Sequence, residues 1–411
     1  MARMLVHDMP GYVFVRDLAS ALGRAGHDVT FVTCSSFATP NEQSRTEAAG
    51  VRTVVIGLDD AFPKYHPLRR LRAELEYGKR LLAVIQDVRP EVVFSSNGPL
   101  LTQAVVERGT RRLGVSFVFW AQDLYGPAAV QLLAERLPAA LARAAGAPFA
   151  ALERHLLRRS EHVVVISRTL LDAAVGAGVD PAALSLLPNW TNPEQLRPGP
   201  RANPWSAEQG LDRVTTFLYS GTLGKKHPYE ALLSLSRILG ADCGDDAGNA
   251  RRGPDTAVVV VSEGLGARWL AAHRTPSDRI RVLPYQPEHR LPETLAAADV
   301  LVLLLGPDAS RYSLPSKFYT YACAGRPVLA VVPLDSEIAR LIGETGCGLV
   351  VNVGDEEQLR WAADTLAGDP ELRRRLGANG RAWAERTMDE EAIAASFGAL
   401  ADRLTAGRVV T

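Results

Sequence analysis

Lysine is scarce in this chain, with five residues against 41 arginines. Three of the five, Lys225, Lys226 and Lys317, fall in two short loops. An ammonium is a compact point charge that can enter a glycine-lined turn and meet a phosphate oxygen, whereas a guanidinium is a broad planar fork. We therefore hypothesise that the two loops hold a phosphorylated ligand. The alternative is that a rare residue falls there by chance.

Cysteine is also rare, and its residues form no CxxC pair and no cluster with histidine; they are Cys34, Cys243, Cys323 and Cys347. This spacing favours reduced, structural thiols over disulfides or a zinc site. The 46 basic and 46 acidic residues give a formal net charge of zero, so no overall electrostatic field attracts nucleic acid or anionic lipid. No apolar run approaches the roughly 18 residues of a membrane span, and the first residues do not resemble a signal peptide. We expect a cytoplasmic protein.

Short valine-rich runs alternate with longer amphipathic segments, which is typical of βαβ units and a parallel sheet. In the first half the predicted strands are Arg3–His7, Val29–Val32, Arg52–Ile56, Val92–Ser95, Ser116–Trp120, His162–Ile166 and Leu184–Leu187. In the second half they are Thr215–Tyr219, Ala257–Val261, Ile280–Leu283, Val300–Leu304, Pro327–Val331 and Gly348–Val351. The pattern predicts an α/β protein with two Rossmann-like domains that face each other across a cleft.

The predicted domain boundaries follow from changes in amino-acid composition along the chain. We predict an N-terminal domain over residues 1–190, a proline-rich linker over 191–206 and a C-terminal domain over 207–388. Residues 389–411 form a further helix that could cross back to the N-terminal domain. The glycine- and aspartate-rich stretch Ala241–Pro254 is predicted to be a surface loop.

Both lysine loops follow predicted strands of the second half. The first contains Gly221, Gly224 and the two adjacent lysines, and the second leads into a helix that opens at Ser316 and Lys317. Ligands of open parallel sheets bind at the carboxyl ends of the strands. Backbone amides at a helix N-terminus together with a lysine form an anion site. The predicted ligand is therefore a diphosphate.

The chain resembles the retaining, nucleotide-sugar-dependent glycosyltransferases of family 4, which have the GT-B fold. The motifs that carry this resemblance are Leu152–Arg154, Val163–Ser167, Leu187–Trp190, Tyr219–Lys226, Val282–Pro287, Ala298–Val300, Pro315–Lys317 and Ala324–Leu329. The segment Phe119–Tyr125, which includes Trp120, Gln122, Asp123 and Leu124, is similar to that of a subgroup that builds bacterial surface polysaccharides.

The resemblance implies that the C-terminal domain binds the nucleotide sugar and the N-terminal domain binds the acceptor. We assign Lys226 and Lys317 to the departing diphosphate, and Gln122 and Asp123 to the reacting sugar or the acceptor. Asp123 could take the acceptor proton if it is buried; alternatively the leaving phosphate takes it. The predicted donor-binding residues are Gly11, Gly221, Thr222, Leu223, Gly224, Lys225, Glu263, Tyr285, Ser313, Leu314, Ser316 and Thr320.

Two positions depart from the family pattern. Where relatives commonly carry two glutamates, this chain has Tyr312 and Thr320. A threonine hydroxyl makes one weaker hydrogen bond where a carboxylate would accept two charge-assisted ones. A deoxyribose donor would lose less by this change.

The expected activity is metal-independent, retaining transfer of a sugar, such as an N-acetylhexosamine or a related hexose, from a nucleotide diphosphate sugar such as a UDP-sugar. The acceptor is a saccharide, a lipid-linked saccharide or a small molecule, and no separate cofactor is expected. No Asp-x-Asp motif ends a strand, and the acidic cluster Asp242, Asp245 and Asp246 falls in the predicted loop. The alternatives are a catalytically weak scaffold protein of the same fold and a sugar-nucleotide 2-epimerase.

A local membrane contact is a separate hypothesis. The basic residues Arg69, Arg70, Arg72, Lys79 and Arg80 lie on one predicted helix of the N-terminal domain. They could touch anionic lipid at the inner face of the cell membrane. Because Glu74 and Glu76 are interleaved with them, a solvated helix face is the alternative.

Overall fold

The structure is a computed structural model that describes residues 1–36, 50–63, 66–134, 137–240 and 256–406. The predicted loop Ala241–Pro254, with Cys243 and its acidic cluster, lies outside the described residues. Cys34, Cys323 and Cys347 are buried, and within the described residues none of them is in a disulfide bond.

All thirteen strands predicted from the sequence form, each to within two residues at either end. They are β1 (Arg3–Asp8), β2 (Asp28–Cys34), β3 (Arg52–Ile56), β4 (Val92–Ser96), β5 (Ser116–Ala121), β6 (His162–Val165), β7 (Leu184–Leu186), β8 (Thr215–Ser220), β9 (Thr256–Val261), β10 (Ile280–Leu283), β11 (Val300–Leu304), β12 (Val328–Val331) and β13 (Gly348–Val351). Most are continuously apolar because helices cover both faces of a parallel sheet.

Helices separate most of the strands in the described residues, and three helices follow β13. They are α1 (Val13–Arg24), α2 (Pro67–Val88), α3 (Leu100–Leu113), α4 (Tyr125–Ala134), α5 (Ala139–Arg159), α6 (Arg168–Gly176), α7 (Pro204–Glu208), α8 (Glu230–Gly240), α9 (Leu265–His273), α10 (Leu291–Ala296), α11 (Lys317–Ala324), α12 (Glu337–Thr345), α13 (Glu356–Gly368), α14 (Pro370–Thr387) and α15 (Glu390–Ala406). Short 3-10 helices span Pro181–Ala183, Glu288–Arg290 and Ala309–Arg311. Among the described helices, none has the length and apolar character needed to cross a bilayer.

Local sequence fixes several helix ends. Ser167 begins α6 because its hydroxyl accepts a hydrogen bond from the Leu170 amide at 3.2 Å. Asp355 caps α13 in the same way through the Gln358 amide, at 2.9 Å. Gly325 ends α11 in the left-handed conformation, with φ 65°, which glycine adopts without a steric penalty.

The chain divides into two units. The first comprises Met1–Asn189, Tyr312–Leu314 and the tail from Asp389, and the second comprises Trp190–Arg311 and Pro315–Met388. The first unit has a parallel sheet with the order β3-β2-β1-β4-β5-β6-β7, and the second has β10-β9-β8-β11-β12-β13. Two doubly wound parallel sheets are thus present, as the alternating sequence pattern predicts.

Helix α15 is part of the core of the first unit. The ring centroid of its buried Phe397 lies 4.7 Å from that of Trp120 and 5.4 Å from that of Phe94. At the surface, Arg24 of α1 donates hydrogen bonds to Glu390 at 2.9 Å and Glu391 at 2.8 Å. The side chains of α15 therefore complete the apolar layer on one face of the first sheet.

Candidate functional site

The two lysine loops of the second unit leave the same edge of its sheet. Strands β8 and β11 are neighbours, but the chain continues from β8 toward one side of the sheet and from β11 toward the other. The crevice outside the carboxyl ends of two such strands is the usual ligand site of an open parallel sheet. The lysine loops follow these two strands, so the topology brings together residues that are about 90 positions apart.

Gly221 and Lys317 are in close contact at this edge. Gly221 has φ 121°, and a Cβ atom added there would lie 2.6 Å from Cε and 2.9 Å from Nζ of Lys317. The Lys317 ammonium also lies 5.2 Å from the centroid of the Tyr219 ring, a distance at which a cation is attracted to an aromatic face. The absence of a side chain at Gly221 thus makes room for the half-buried lysine.

The electrostatics of the loops are those of a cation cluster. Burial, and then repulsion from Lys226, lower the pKa of Lys317 to about 8. Burial and the two lysines also lower the pKa of His227 well below its usual value. His227 is therefore neutral at neutral pH, and its Nδ1 accepts a hydrogen bond from the Gly224 amide at 3.0 Å. Lys226 and Lys317 remain as two like charges, an arrangement that a bound anion would stabilise.

Other predicted donor residues lie beside the first lysine loop. The Thr222 and Tyr285 hydroxyls are 3.0 Å apart, and the Glu263 carboxylate accepts a hydrogen bond from the Tyr285 amide at 3.3 Å. The carbonyl of the fully buried Leu223 accepts from the Gly266 amide at 3.0 Å, which fixes the loop to the start of α9. These residues come from the carboxyl ends of β8, β9 and β10, which are adjacent in the sheet.

Helix α11 carries the second lysine loop into the unit. It begins at Lys317, directly after the exposed Ser316, whose side chain makes no capping hydrogen bond. One turn further on, the half-buried Thr320 hydroxyl lies 3.1 Å from that of Thr191. The Tyr321 hydroxyl accepts a hydrogen bond from the Ser220 amide at 3.2 Å and so holds α11 against the end of β8.

The segment Tyr312–Leu314 packs within the first unit. Ser313 forms an antiparallel bridge with Asp123, and the Tyr312 carbonyl accepts a hydrogen bond from the Leu124 amide at 3.1 Å. The Tyr312 hydroxyl donates to the Gln131 side chain. Ser313 and Leu314 therefore group with the Asp123 segment, and their assignment as donor contacts stays a prediction.

Gln122 and Asp123 follow β5, as predicted, but their surroundings differ. Gln122 is buried, and its side-chain carbonyl accepts a hydrogen bond from Asn189 Nδ2 at 2.6 Å. Within the described residues, Gln122 Nε2 and Asn189 Oδ1 are buried without a hydrogen-bond partner. Such atoms favour a ligand group that can both accept and donate, such as a hydroxyl. Asp123 is half-buried, and its role as a base, which the sequence analysis makes conditional on burial, stays a prediction.

The switch point of the first sheet lies between β1 and β4. Asp8 is buried there, and its carboxylate accepts hydrogen bonds from the Tyr12 amide and from Asn97 Nδ2, both at 2.7 Å. Desolvation nevertheless raises its pKa to about 6. Gly11, with φ 72°, lets the chain turn into α1. The neighbouring His7 lies 2.8 Å from Ser95 Oγ and is fully buried, which lowers its pKa to about 3.

The sequence predicted the lysine loops but not the two asparagines. Asn97 has φ 48° and precedes a Gly-Pro pair after β4, a turn signal that could have drawn attention to it. Asn189 was assigned only to a motif before the linker, and nothing in the sequence pairs it with Gln122. No group of three histidine, cysteine or acidic side chains in the described part of the chain is placed to hold a metal ion. Metal independence stays a prediction.

Two family models match this chain. The glycosyl transferase 4-like domain matches residues 12–190, and the glycosyl transferases group 1 model matches residues 205–383. In fold, the chain is similar to HepE of Anabaena, which was solved in complex with UDP and glucose, with a TM-score of 0.71 and 14% identity over 98% of this chain and all of that one. Residues 12–190 thus belong to the glycosyl transferase 4-like domains and residues 205–383 to the glycosyl transferases group 1 domains, and the fold is GT-B.

Curated relatives are similar at the sequence level. A probable glycosyltransferase, WbjE of Pseudomonas aeruginosa, is 24% identical over 266 residues, which is 63% of this chain and 62% of that protein. A putative colanic acid biosynthesis glycosyl transferase, WcaI of Escherichia coli, is 24% identical over 60% of this chain and 58% of its own length. The match thus spans about three fifths of each relative.

Proposed function

We propose that this protein transfers a sugar from a nucleotide diphosphate sugar to a hydroxyl of a saccharide, a lipid-linked saccharide or a small molecule. The proposed reaction retains the anomeric configuration and requires no metal ion. The second unit binds the donor through the lysine loops, and the first unit contributes the residues that meet the acceptor. The observation that carries the proposal is the Lys226 and Lys317 pair at the switch point of the second sheet.

The lysine pair suits a leaving diphosphate. As the glycosyl–phosphate bond breaks, its electron pair stays on the phosphate oxygen, and negative charge develops there. Cations already fixed at that position stabilise the charge without a reorganisation cost at the moment of reaction. In the free protein, burial and then repulsion between the same two charges lower the pKa of Lys317. A diphosphate is therefore the ligand that this pair favours.

Uracil is the proposed base of the donor nucleotide. The solved complex of HepE with UDP and glucose supports it. The name of WcaI, a putative colanic acid biosynthesis glycosyl transferase, supports an acceptor from polysaccharide biosynthesis. In this proposal Tyr285 flanks the base, because it lies at the end of β10 and is linked to Thr222 in the first lysine loop. Thr320 faces the ribose through one hydroxyl, so discrimination against deoxyribose is weak.

The first unit supplies a proposed place for the acceptor hydroxyl. Gln122 Nε2 and Asn189 Oδ1 are an unsatisfied donor and acceptor pair, which a sugar hydroxyl would satisfy on both sides. Asp123 follows Gln122 directly and would orient the hydroxyl or take its proton. In the alternative, the proton goes to the departing phosphate oxygen, and Asp123 only positions the acceptor.

The test combines nucleotide binding with donor breakdown. UDP is expected to raise the melting temperature, and a UDP-sugar is expected to be hydrolysed slowly without acceptor. Lys226→Ala should reduce both UDP affinity and UDP-sugar hydrolysis by about tenfold or more, because one of the two cations that stabilise the leaving diphosphate is lost. Lys79→Ala, which removes an exposed lysine from α2, is the matched control and should change neither.

Each negative result has a distinct meaning. If UDP, dTDP, GDP and ADP all leave the melting temperature unchanged, the assignment of the lysine loops as the donor site is wrong. If a nucleotide binds but no donor sugar is hydrolysed or transferred, the scaffold alternative replaces the enzyme. An epimerised sugar nucleotide among the products would identify the 2-epimerase.

A further inference from the structure

The carboxyl ends of β1 and β4 meet at the switch point of the first sheet. Asp8 and Ser96 lie opposite each other there, and Asn97 follows Ser96 directly. Asn97 Nδ2 donates a hydrogen bond to Asp8 Oδ1 at 2.7 Å and another to Ser96 Oγ at 3.0 Å. Because an ionised carboxylate only accepts hydrogen bonds, Asp8 fixes which side of the Asn97 amide faces inward. The side-chain carbonyl oxygen of Asn97 is therefore turned away from Asp8.

The outward oxygen of Asn97 has an unused capacity to accept a hydrogen bond. The bonds to Asp8 and Ser96 use both N–H groups of the amide, and no group among the described residues donates to Asn97 Oδ1. The side chain is half-buried, so part of it remains accessible. An oriented acceptor at the carboxyl end of a strand suits the hydroxyl group of a ligand.

The backbone of Asn97 has an uncommon conformation. Two described residues other than glycine have a positive φ, Arg89 at 49° and Asn97 at 48°. Arg89 directly follows α2, and a left-handed residue commonly ends a helix. Asn97 ends no helix, because it lies between β4 and α3. Backbone strain of this second kind is concentrated at ligand sites, where it holds a side chain in place.

Two aromatic rings stand beside this polar group. Tyr12 directly precedes α1, and Phe14 lies in its first turn. Their rings are stacked, with centroids 5.9 Å apart and planes 15° apart, and the Tyr12 amide donates a hydrogen bond to Asp8 at 2.7 Å. Both side chains are half-buried, so part of each ring is accessible. The C–H groups of a sugar ring pack on an aromatic face, while its hydroxyls need polar partners such as the Asn97 carbonyl.

This polar and aromatic group is separate from the Gln122–Asn189 pair. Gln122 follows β5, and its side chain is bonded to that of Asn189, which follows β7. Asn97 is bonded in the opposite direction, to Asp8 on β1. In the order β1-β4-β5-β6-β7, β1 and β5 are two strand spacings apart, which is about 10 Å. A single pyranose ring is too short to reach both places, whereas two linked rings can.

We propose that the switch point of the first sheet is a subsite for a second sugar ring of the acceptor. Asn97 Oδ1 accepts a hydrogen bond from a hydroxyl of this ring, and Tyr12 and Phe14 pack against its C–H groups. The inference rests on the proposed function, in which the reacting hydroxyl lies at Gln122 and Asn189. An acceptor that fills both places carries at least two linked sugars. A saccharide chain, free or lipid-linked, is therefore preferred to a small molecule without one.

Ligand-observed NMR, followed by titration without donor, tests the subsite. The probes are the methyl glycosides of glucose, galactose, mannose, rhamnose, fucose and N-acetylglucosamine, and of disaccharides built from these sugars. We expect at least one disaccharide to bind about tenfold tighter than either of its component sugars, because a hydrogen bond and an aromatic contact are added. Asn97→Gly should remove most of this gain, since glycine adopts φ 48° without strain but lacks the carbonyl. Tyr12→Leu tests the aromatic contact independently and should also reduce the gain.

The matched control makes the same change at the other end of β4. Arg89 has nearly the same φ as Asn97 but is exposed and precedes the strand. Arg89→Gly is expected to bind the disaccharide like the unchanged protein. Equal disaccharide affinities of the Asn97 and Arg89 variants would refute the proposal, as would the lack of any disaccharide that binds tighter than its component sugars.

The form of the acceptor and the donor site are tested separately. The disaccharide is compared with the same disaccharide linked to farnesyl diphosphate. Tighter, Asn97-dependent binding of the linked form assigns the subsite to a lipid-linked saccharide, and equal, Asn97-dependent binding assigns it to a free one. The UDP-induced change in melting temperature and UDP-sugar hydrolysis report on the second unit. Their failure would overturn the proposed function while disaccharide binding persists, and the converse result would overturn only the subsite.

Discussion

Replacing Lys317 with methionine should stabilise the ligand-free protein and abolish most of its diphosphate binding. Methionine fills a similar volume without a charge, so the aliphatic contact of the side chain with Gly221 is kept. The half-buried ammonium is held beside Lys226 and near the Tyr219 ring. The charge of Lys317, which would bind the diphosphate, is thus predicted to lower the free energy of unfolding of the ligand-free protein.

The magnitude follows from the pKa. In the folded protein the pKa of Lys317 falls from 10.5 to about 8, and each pKa unit corresponds to about 1.4 kcal/mol. The charged side chain therefore costs about 3 kcal/mol below pH 8, which solvent screening of a half-buried group reduces to about 1–2 kcal/mol. Because the unfolded chain binds the proton more tightly, the cost is fully present below the folded pKa and disappears as the pH rises toward 10.5.

Urea unfolding across the pH range, with and without UDP, measures both effects. At pH 7, Lys317→Met should raise the free energy of unfolding by about 1–2 kcal/mol, and the gain should shrink between pH 8 and 10.5. UDP should stabilise the unchanged protein but not the variant. Lys79→Met, at an exposed site, is the control and should change the unfolding free energy by less than about 0.5 kcal/mol. A variant that is less stable and still binds UDP would refute both the charge penalty and the role of Lys317.

Two further predictions concern the switch points of the two sheets. Gly221→Ala should lower the free energy of unfolding by about 1–3 kcal/mol and weaken UDP binding, because φ 121° is strained for alanine and the methyl group meets Lys317. Gly224→Ala, where an added Cβ has no neighbour within 4 Å, is the stability control, and equal losses in both would contradict the steric argument. Asp8→Asn should remove a pH dependence: in the unchanged protein the raised pKa of about 6, against 3.8 in the unfolded chain, makes the free energy of unfolding rise by about 1–3 kcal/mol as the pH falls from 7 to 4. Urea titrations of both proteins at several pH values test this, and parallel curves would show that the Asp8 carboxylate is not the group responsible.

The parallel sheets could be predicted because each strand is a short apolar run of the sequence, bounded by turn-forming residues. The same local reading located the loops after β8 and β11, and the order of the strands then brought them together. Lys317 was recognised because lysine is rare in this chain. The neutral state of His227 was not predicted, because it depends on burial and on two lysines that only the fold brings close.

The rest depends on contacts between distant parts of the chain. The hydrogen bond between Gln122 and Asn189 joins residues 67 positions apart, and no local pattern encodes it. Ser313 forms a bridge with Asp123 and belongs to the first unit, a pairing that no local pattern encodes; its contact with the donor stays a prediction.

The place of α15 in the chain affects the order in which the protein matures on the ribosome. Synthesis proceeds from the N-terminus, so the residues of the first sheet emerge long before Phe397, which packs on Trp120 and Phe94. The residues of the second unit, from Trp190 to Met388, are all made before α15. The second unit can therefore close its core while the first still exposes an aromatic surface. During translation the first unit therefore keeps apolar surface exposed for longer than the second, and we expect chaperones to bind it there.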